Sequence, residues 1–341
     1  MKNFKEYAIN LVITFILFLV ILYFIDIEKV INVVLNSNYY FLGMAVFAYI
    51  VVITIMSLRI RIVLNELKHF IPFRSILNSN LAGMLASDFT PARSGYFFTA
   101  FSLSSKHKIP ISESILTILG PQLFDFMIKV VSLSVIAIVL IDRIDGLQEN
   151  IFAIIFAIVC IFSVILFFGG LIFINGFIKK FKFIEKFPLI DRIYLLFERM
   201  QKKSHKLIKI KYKIVGITFL SWGVKALEWF FISKALGIVL FDGGILDYLF
   251  MLVLQGSVTL IQFMPLPTIA GGGASELGAS GILLLFGVPI ETGIAFALLT
   301  RGIMILVDSL GSFEIVNFIR KRGIGKIFNS INSIKHEGEK N

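Results

Sequence analysis

Long runs of apolar residues constrain this chain more than any other feature. Several runs extend over roughly 18–25 residues, the length that an α-helix needs to cross a hydrocarbon core of about 30 Å. Of all residues, 57% are hydrophobic and 16% are charged, whereas ordinary soluble domains carry about 25% charged residues. These figures exclude a soluble enzyme, a secreted disulfide scaffold and a disordered chain. The sequence therefore predicts an all-α polytopic membrane protein.

Six segments are predicted as full spans, within a single integral membrane domain that covers residues 1–341. In chain order these spans are Tyr7–Ile25, Tyr39–Leu58, Gln122–Ile141, Ile151–Ile178, Ile214–Ile238 and Thr292–Ile319. The first is interpreted as a retained helix rather than a signal peptide, because no small-residue cleavage site follows its long apolar part.

Two further apolar stretches, Ser75–Ser105 and Leu246–Val288, are interrupted by breaks that are polar or rich in glycine. The residues that mark the breaks are Pro91 and Gly95 in the first stretch, and Pro267, Gly271, Gly272 and Gly273 in the second. Broken backbone is tolerated at membrane depth only where protein or a wet cavity receives its free polar groups. Each stretch is therefore predicted as a re-entrant or broken-helix hairpin, and counting the hairpins as spans raises the total to eight.

The distribution of positive charge predicts the orientation in the membrane. The net charge is +11, which in a soluble chain suggests nucleic acid, but in a membrane chain first reflects the positive-inside rule. With the N-terminus inside, the inner segments hold 26 Lys and Arg residues and the outer segments hold 2. We therefore expect a multi-pass protein of the cytoplasmic membrane with both termini in the cytoplasm, and no nucleic-acid partner.

One inner segment, residues 179–213, is strongly basic and carries apolar residues near helical spacing. This pattern is typical of an amphipathic helix on the inner leaflet, attracted to anionic lipid. A basic cytoplasmic connector that only determines the orientation explains the same composition.

The two broken stretches correspond to each other. Pro91 is followed 19 residues later by Pro110, and Pro267 is followed 22 residues later by Pro289. Under the predicted orientation, residues 39–141 and 214–319 run in opposite senses through the membrane. The sequence thus predicts two inverted pseudo-repeats, a plan that many transporters share and in which broken helices meet near the midplane.

The breaks also carry a family resemblance that extends over nearly the whole chain. The run Pro91-Ala92-Arg93-Ser94-Gly95, with Asn80 before it, resembles the Pro-x-Arg-x-Gly signature of the flippase-like transmembrane family. That family includes the membrane region of lysylphosphatidylglycerol synthase and the UPF0104 membrane proteins. The glycine-rich region of the family is similar to a second set of residues here, namely Pro267, Gly271, Gly273, Glu276, Gly287 and Arg301.

Two positions depart from the family pattern: Tyr96 replaces a frequent acid, and Ala270 replaces a glycine. The resemblance implies movement of lipid between leaflets. In the multi-domain synthases a separate soluble domain performs aminoacyl transfer. Because only about 20 polar residues follow the last span here, we expect a stand-alone form without that domain, which does not synthesise lipid by aminoacyl transfer.

Charged residues inside apolar runs are the candidates for function, because a charge at the bilayer centre costs roughly 2.5–3.5 kcal/mol. Arg93 and Arg301 are predicted to bind an anionic lipid headgroup, for which a guanidinium offers a planar bidentate fork. Glu276, Asp308 and Asp125 are predicted to balance these charges or to bind coupling protons.

Structural explanations stand beside these roles. Glu276 also suits a helix cap, Arg301 an ion pair with Asp308 or Glu276, and Arg93 an interaction with inner headgroups. Two further pairs at helical spacing are predicted to neutralise each other, namely Asp125 with Lys129 and Lys225 with Glu228.

No catalytic or metal-binding motif is found, and no cofactor is expected. The leading hypothesis is translocation of an anionic, aminoacylated or polyprenyl-phosphate lipid. The alternatives are a membrane enzyme that acts on a lipid phosphate, and a non-catalytic membrane partner of a separate synthase. A homodimer is left open.

Overall fold

A computed structural model describes most of the chain, and every regular element within the described residues is helical. The described residues are 27–140, 151–174, 176–178, 188–263, 268 and 271–322. The predicted first span, Tyr7–Ile25, and the C-terminal tail therefore lie outside the described residues.

Twelve α-helices and two short 3₁₀ turns follow one another along these residues. The α-helices are α1 (Ile27–Leu35), α2 (Tyr39–Glu66), α3 (Phe73–Asp88), α4 (Phe97–His107), α5 (Ile111–Leu140), α6 (Ile151–Phe173), α7 (Pro188–Lys209), α8 (Lys211–Ala235), α9 (Ile245–Phe263), α10 (Ala274–Leu285), α11 (Ile290–Asp308) and α12 (Ser312–Arg322). The 3₁₀ turns are Pro91–Tyr96 and Ser309–Gly311.

Six stretches of the described residues are long and apolar enough to cross a membrane. They are α2, α5, α8, α9, residues 154–173 of α6, and the broken stretch Ile290–Arg320. Five of them correspond to predicted spans, which confirms a multi-pass, all-α membrane protein. The helix of the third predicted span begins at Ile111 rather than Gln122, because Pro121 is accommodated inside α5 instead of preceding it.

The first broken stretch forms a hairpin of two antiparallel helices, α3 and α4. Ser79 and Ser102 share a hydrogen bond of 2.9 Å, and Ser75 Oγ lies 2.8 Å from His107 Nε2 near the open end. Small side chains let the helices approach closely, since a Cβ atom on Gly83 would lie 1.9 Å from Thr99 Oγ1. The turn Pro91–Tyr96 closes the hairpin.

The second broken stretch also folds back on itself, through α9 and α10. Phe250 packs on Phe286 with ring centroids 4.5 Å apart, and a Cβ on Gly278 would lie 2.8 Å from Ile261 Cδ1. The arms are unequal, because α9 has 19 residues and α10 has 12. Pro267 lies outside the described residues. The re-entrant character of both hairpins and their inverted relation stay predictions.

The core of the bundle forms where long helices pack side by side. Helix α2 packs along α8, and α9 packs against both α5 and α8. Tyr49, Ile53 and Trp229 are among the side chains buried there. The helices surround a polar centre.

The basic connector 179–213 contains a helix, α7, whose apolar face packs against the protein. Met200 and Leu207 are buried against α5 and α6, and Gln201 Nε2 donates to the carbonyl of Leu171 at 2.9 Å. Lys203 Nζ lies 3.2 Å from a carboxylate oxygen of Glu113 in α5. The buried face is therefore covered by neighbouring helices, while Ile193 and Ile208 remain exposed.

The turn Ser309–Gly311 lets the end of α11 approach α3 closely. A Cβ atom built on Gly311 would lie 2.4 Å from the backbone nitrogen of Ala82, so only glycine fits without backbone movement. We expect Gly311→Ala to lower stability by about 1–3 kcal/mol through overpacking. The midpoint of thermal unfolding in detergent measures this effect.

Gly43→Ala is the matched control, because nothing lies within 4 Å of a Cβ at that exposed helical position. Alanine is preferred over glycine by about 1 kcal/mol inside a helix, so this variant is expected to be as stable as the wild type or more stable. Equal stability of the two variants would contradict the close packing of Gly311.

Candidate functional site

A cavity of about 120 Å³ lies between the long helices, and we call it the central cavity. Its wall includes five charged side chains from α2, the first turn, α5 and α8: Arg59, Arg93, Asp125, Lys129 and Lys225. Aromatic and amide side chains of α8 and α9, such as Trp222 and Gln255, also line it. Since a buried water needs roughly 10–15 Å³, this volume holds several waters or a small polar group.

A second, smaller space lies beside it, between the tips of the two hairpins. This hairpin pocket has a volume of about 20 Å³ and is lined by Asp88, Arg93, Gln262, Glu276 and Arg301, among others. Arg93 and Gln262 line both spaces. The two arginines predicted from sequence therefore border one pocket, although 208 positions separate them in the chain.

The turn that carries Arg93 has an unusual backbone. Ala92 and Arg93 have φ angles of 51° and 52°, in the left-handed region that residues other than glycine rarely adopt. Thr90 Oγ1 accepts a hydrogen bond from the backbone N–H of Gly95 at 2.6 Å. A Cβ on Gly95 would lie 2.2 Å from the carbonyl oxygen of Ala86, so glycine is needed where the turn meets α3.

The side chain of Arg93 connects the two hairpins. It is 7% exposed, and its Nη2 donates to Asp88 Oδ1 at 2.9 Å and to Ser87 Oγ at 3.1 Å. Its Nη1 donates to Gln262 Oε1, near the end of α9, at 2.7 Å. Arg93 is therefore held inside the protein by specific partners, which differs from the predicted alternative of contact with inner headgroups.

Arg301 and Glu276 form an ion pair between α11 and α10. Arg301 Nη2 also donates to Ser275 Oγ at 3.0 Å. Glu276 Oε2 accepts from the backbone N–H of Gly273 at 2.8 Å, which caps the first turn of α10. Glu276 thus combines the helix cap and the ion pair that the sequence offered as separate explanations.

Three glycines precede this cap. Gly271 and Gly273 have φ angles of 69° and 83°, which glycine adopts without steric cost. A Cβ on Gly271 would lie 2.9 Å from the Cα of Gln262. Gly272 lies between them and is buried. The glycine run therefore brings the start of α10 close to the residue that binds Arg93.

Asp125 is paired with Arg59, not with Lys129. Arg59 Nη1 donates to Asp125 Oδ1 at 2.9 Å and to Thr218 Oγ1 at 3.0 Å. The predicted ion pair between Asp125 and Lys129 does not form. Helix α2 places the buried guanidinium of Arg59 nearer to the Asp125 carboxylate. By contrast, the predicted pair Lys225–Glu228 is confirmed, with 2.6 Å between Nζ and Oε2.

Lys129 is held by aromatic rings. Its Nζ lies 4.7 Å from the ring centroid of Phe263 and 5.4 Å from that of Phe126. Among the residues that the structure describes, it makes no ion pair within 4.0 Å. Lys129 therefore lines the central cavity without a carboxylate bonded to it among the described residues.

Asp308 lies behind the cavity wall and is fully buried. Its Oδ2 accepts a hydrogen bond of 2.8 Å from the hydroxyl of Tyr49, which does line the central cavity. Sequence reasoning found Arg93, Arg301, Glu276, Asp125 and Asp308. It missed Arg59, Tyr49 and Gln262, for which only their polarity within apolar helices gave a signal.

The described residues contain no group of three or more His, Cys, Asp or Glu side chains placed to hold a metal ion. Long apolar helices around a charged cavity, closed by two broken hairpins, define a polytopic membrane protein with a buried polar site. The sequence profile described as "Lysylphosphatidylglycerol synthase TM region" matches residues 7–311. The chain therefore belongs to this family, and the resemblance drawn from its motifs is confirmed.

A curated relative supports the assignment over a shorter stretch. A UPF0104 membrane protein of Methanocaldococcus jannaschii is 28% identical over 120 residues, which is 35% of this chain and 36% of that protein. The matched stretch thus spans about a third of the relative. No solved structure matches the chain.

The Arg59–Asp125 pair gives a test of the charged centre. Since Arg59 is 4% exposed, Asp125→Asn removes the counter-charge of a buried cation, and we expect a loss of about 3–5 kcal/mol in stability. The double variant Arg59→Met with Asp125→Leu removes both charges and should recover most of this loss. Thermal unfolding in detergent compares the three proteins. A double variant less stable than Asp125→Asn would contradict this account.

Proposed function

We propose that the protein moves an anionic lipid headgroup, such as that of a phospholipid or polyprenyl phosphate, between the membrane leaflets. The headgroup enters the central cavity while the acyl or prenyl chains stay in the surrounding bilayer. Membership in a lipid-related membrane family supports this class of substrate.

One observation carries the proposal. Arg93 borders both the central cavity and the hairpin pocket, and its hydrogen bond to Gln262 joins the tips of the two hairpins. A guanidinium that faces a space of about 120 Å³ can exchange one protein acceptor for a phosphate oxygen without leaving its turn. Binding of a headgroup there directly affects the contact between the hairpins.

The charges around the cavity favour an anion. Arg59 and Lys225 each have a carboxylate partner, Asp125 and Glu228, whereas Lys129 rests on phenyl rings in the described structure. A phosphate that approaches Lys129 gains an ionic contact and does not have to displace a carboxylate. Lys129 and Arg93 are therefore the cations that we assign to the headgroup.

The remaining predicted residues fit supporting roles. Arg301 lines the hairpin pocket beside Arg93, and its ion pair with Glu276 provides a second guanidinium for a headgroup that moves toward α10. Asp125 and Glu276 balance the arginines that they contact. Asp308 acts behind Tyr49, outside the headgroup path.

We place the two hairpins in the membrane as inverted, re-entrant elements. The Lys and Arg distribution of the sequence supports cytoplasmic termini and the cytoplasmic membrane, with the first hairpin entering from inside and the second from outside. Opposed entry explains how their tips meet at Arg93 and Gln262. Such midplane junctions are the usual place for a transporter binding site.

Reconstitution tests the proposal. In liposomes with fluorescent phosphatidylglycerol or polyprenyl phosphate, we expect the wild type to raise transfer between leaflets above that of protein-free vesicles. Lys129→Gln should lower the rate roughly 10- to 100-fold, because one ionic hydrogen bond of about 1.5–3 kcal/mol is lost. Dithionite quenching of the outer-leaflet label measures the rate.

Lys202→Gln is the matched control, since Lys202 is 66% exposed on α7 and does not line the central cavity. Its transfer rate should equal that of the wild type. Transfer at the protein-free level for the wild type, or an equal rate for Lys129→Gln and Lys202→Gln, would rule out the proposed headgroup site.

A further inference from the structure

Two carboxylates meet behind Arg93, and their arrangement is unusual for a protein interior. Asp88 and Asp308 are 8% and 0% exposed. Asp88 Oδ1 accepts from Arg93 Nη2 at 2.9 Å, and Asp308 Oδ2 accepts from the Tyr49 hydroxyl at 2.8 Å. The second oxygen of each carboxylate is buried without a donor from the described residues. Helix α3, which ends at Asp88, packs against α11, which ends at Asp308, and the two carboxylates interact with each other.

Ionised carboxylate oxygens only accept hydrogen bonds, so two carboxylates can bond to each other only when one of them carries a proton. Two negative charges next to each other inside a protein are strongly unfavourable, and one shared proton removes the repulsion between them. It also supplies the donor that the two buried oxygens lack. One shared proton therefore satisfies both buried oxygens without a donor from any other residue.

The charged groups that face the pair from neighbouring helices agree with one shared proton. Lys225 on α8 has its own partner, Glu228, and Arg301 on α11 has Glu276 on α10. Arg93 remains as the cation that bonds to the pair, while Tyr49 on α2 contributes a neutral hydroxyl. One negative charge on the pair thus balances one guanidinium.

We propose that Asp88 and Asp308 form a proton-binding site that holds one proton between them, as a carboxylic acid and a carboxylate. The proton forms an O–H bond on one oxygen and a hydrogen bond to the other, and it is exchanged with water. Asp88 lines the hairpin pocket, whose volume of about 20 Å³ is enough for one water molecule at the site.

Loss of this proton changes the surroundings of Arg93. Two adjacent negative charges then face its guanidinium and hold it more tightly on the side away from the central cavity. On the proposed function, a protonated pair leaves Arg93 available to an anionic headgroup and a deprotonated pair withdraws it. Protonation and headgroup binding at Arg93 are thereby coupled.

Infrared difference spectroscopy of the purified protein in lipid nanodiscs tests the proton site itself. We expect a carbonyl-stretch band of a protonated carboxylic acid that shifts in D₂O and disappears at alkaline pH. Asp88→Asn and Asp308→Asn should each abolish this band, because either variant leaves a single carboxylate with no second one to share the proton. The asparagine side chain preserves the shape and supplies a donor, which keeps both variants foldable.

Asp247→Asn is the control variant. Asp247 is 1% exposed, but both of its oxygens accept hydrogen bonds, from the backbone N–H groups of Leu240 and Phe241. The band should persist in this variant. Absence of the band from the wild type at every pH, or its persistence in both Asp88→Asn and Asp308→Asn, would overturn the proposal.

The transfer assay separates this proposal from the proposed function. If both proposals are correct, the rate of lipid transfer by the wild type falls over the pH range in which the infrared band disappears. Asp308→Asn then removes this pH dependence. A titrating band without any lipid transfer upholds the proton site and refutes the translocase. Lipid transfer without the band gives the reverse result.

Discussion

The guanidinium of Arg93 is the contact on which the centre of this protein depends. It reaches the first hairpin through Ser87 and Asp88 and the second through Gln262, so one side chain joins two elements that are distant in sequence. Its own backbone is left-handed, as is that of Ala92, which costs of order 1–3 kcal/mol at each residue. The surrounding hydrogen bonds and the close approach of Gly95 to α3 hold the turn in this conformation. An energetically costly turn at a polar junction is typical of a functional site.

The buried charges around this contact are arranged in separate pairs. Within each of three ion pairs the opposite charges cancel, so the helices can surround a polar space at low cost in free energy. These pairs are Arg59 with Asp125, Arg301 with Glu276, and Lys225 with Glu228. Among the described charged groups around Arg93, this self-neutralisation stops at Lys129 and at the Asp88–Asp308 pair. Lys129 lines the central cavity and Asp88 lines the hairpin pocket, and Arg93 borders both spaces. The proposed headgroup and proton sites follow from this asymmetry.

Much of this organisation is visible in the sequence. Apolar length predicted the spans, and Pro91, Gly95 and the run from Gly271 predicted the hairpin breaks, because such signals act within a few residues. The pair Lys225–Glu228 was predictable for the same reason. The contacts of Asp125 and Asp308 were not, since Arg59 and Tyr49 lie 66 and 259 positions away and their proximity depends on how whole helices pack.

The phenyl rings of Phe126 and Phe263 have a consequence for the rate of the proposed lipid transfer. A lysine in an ion pair must break a bond of several kcal/mol before it accepts a new partner, and the departing carboxylate competes for its return. A lysine on aromatic faces gives up only about 0.5–2 kcal/mol, and the rings do not compete as anions. Lys129 can therefore exchange partners with a low barrier. On the proposed function, this weak, non-ionic contact of Lys129 favours brief residence of each headgroup over tight retention.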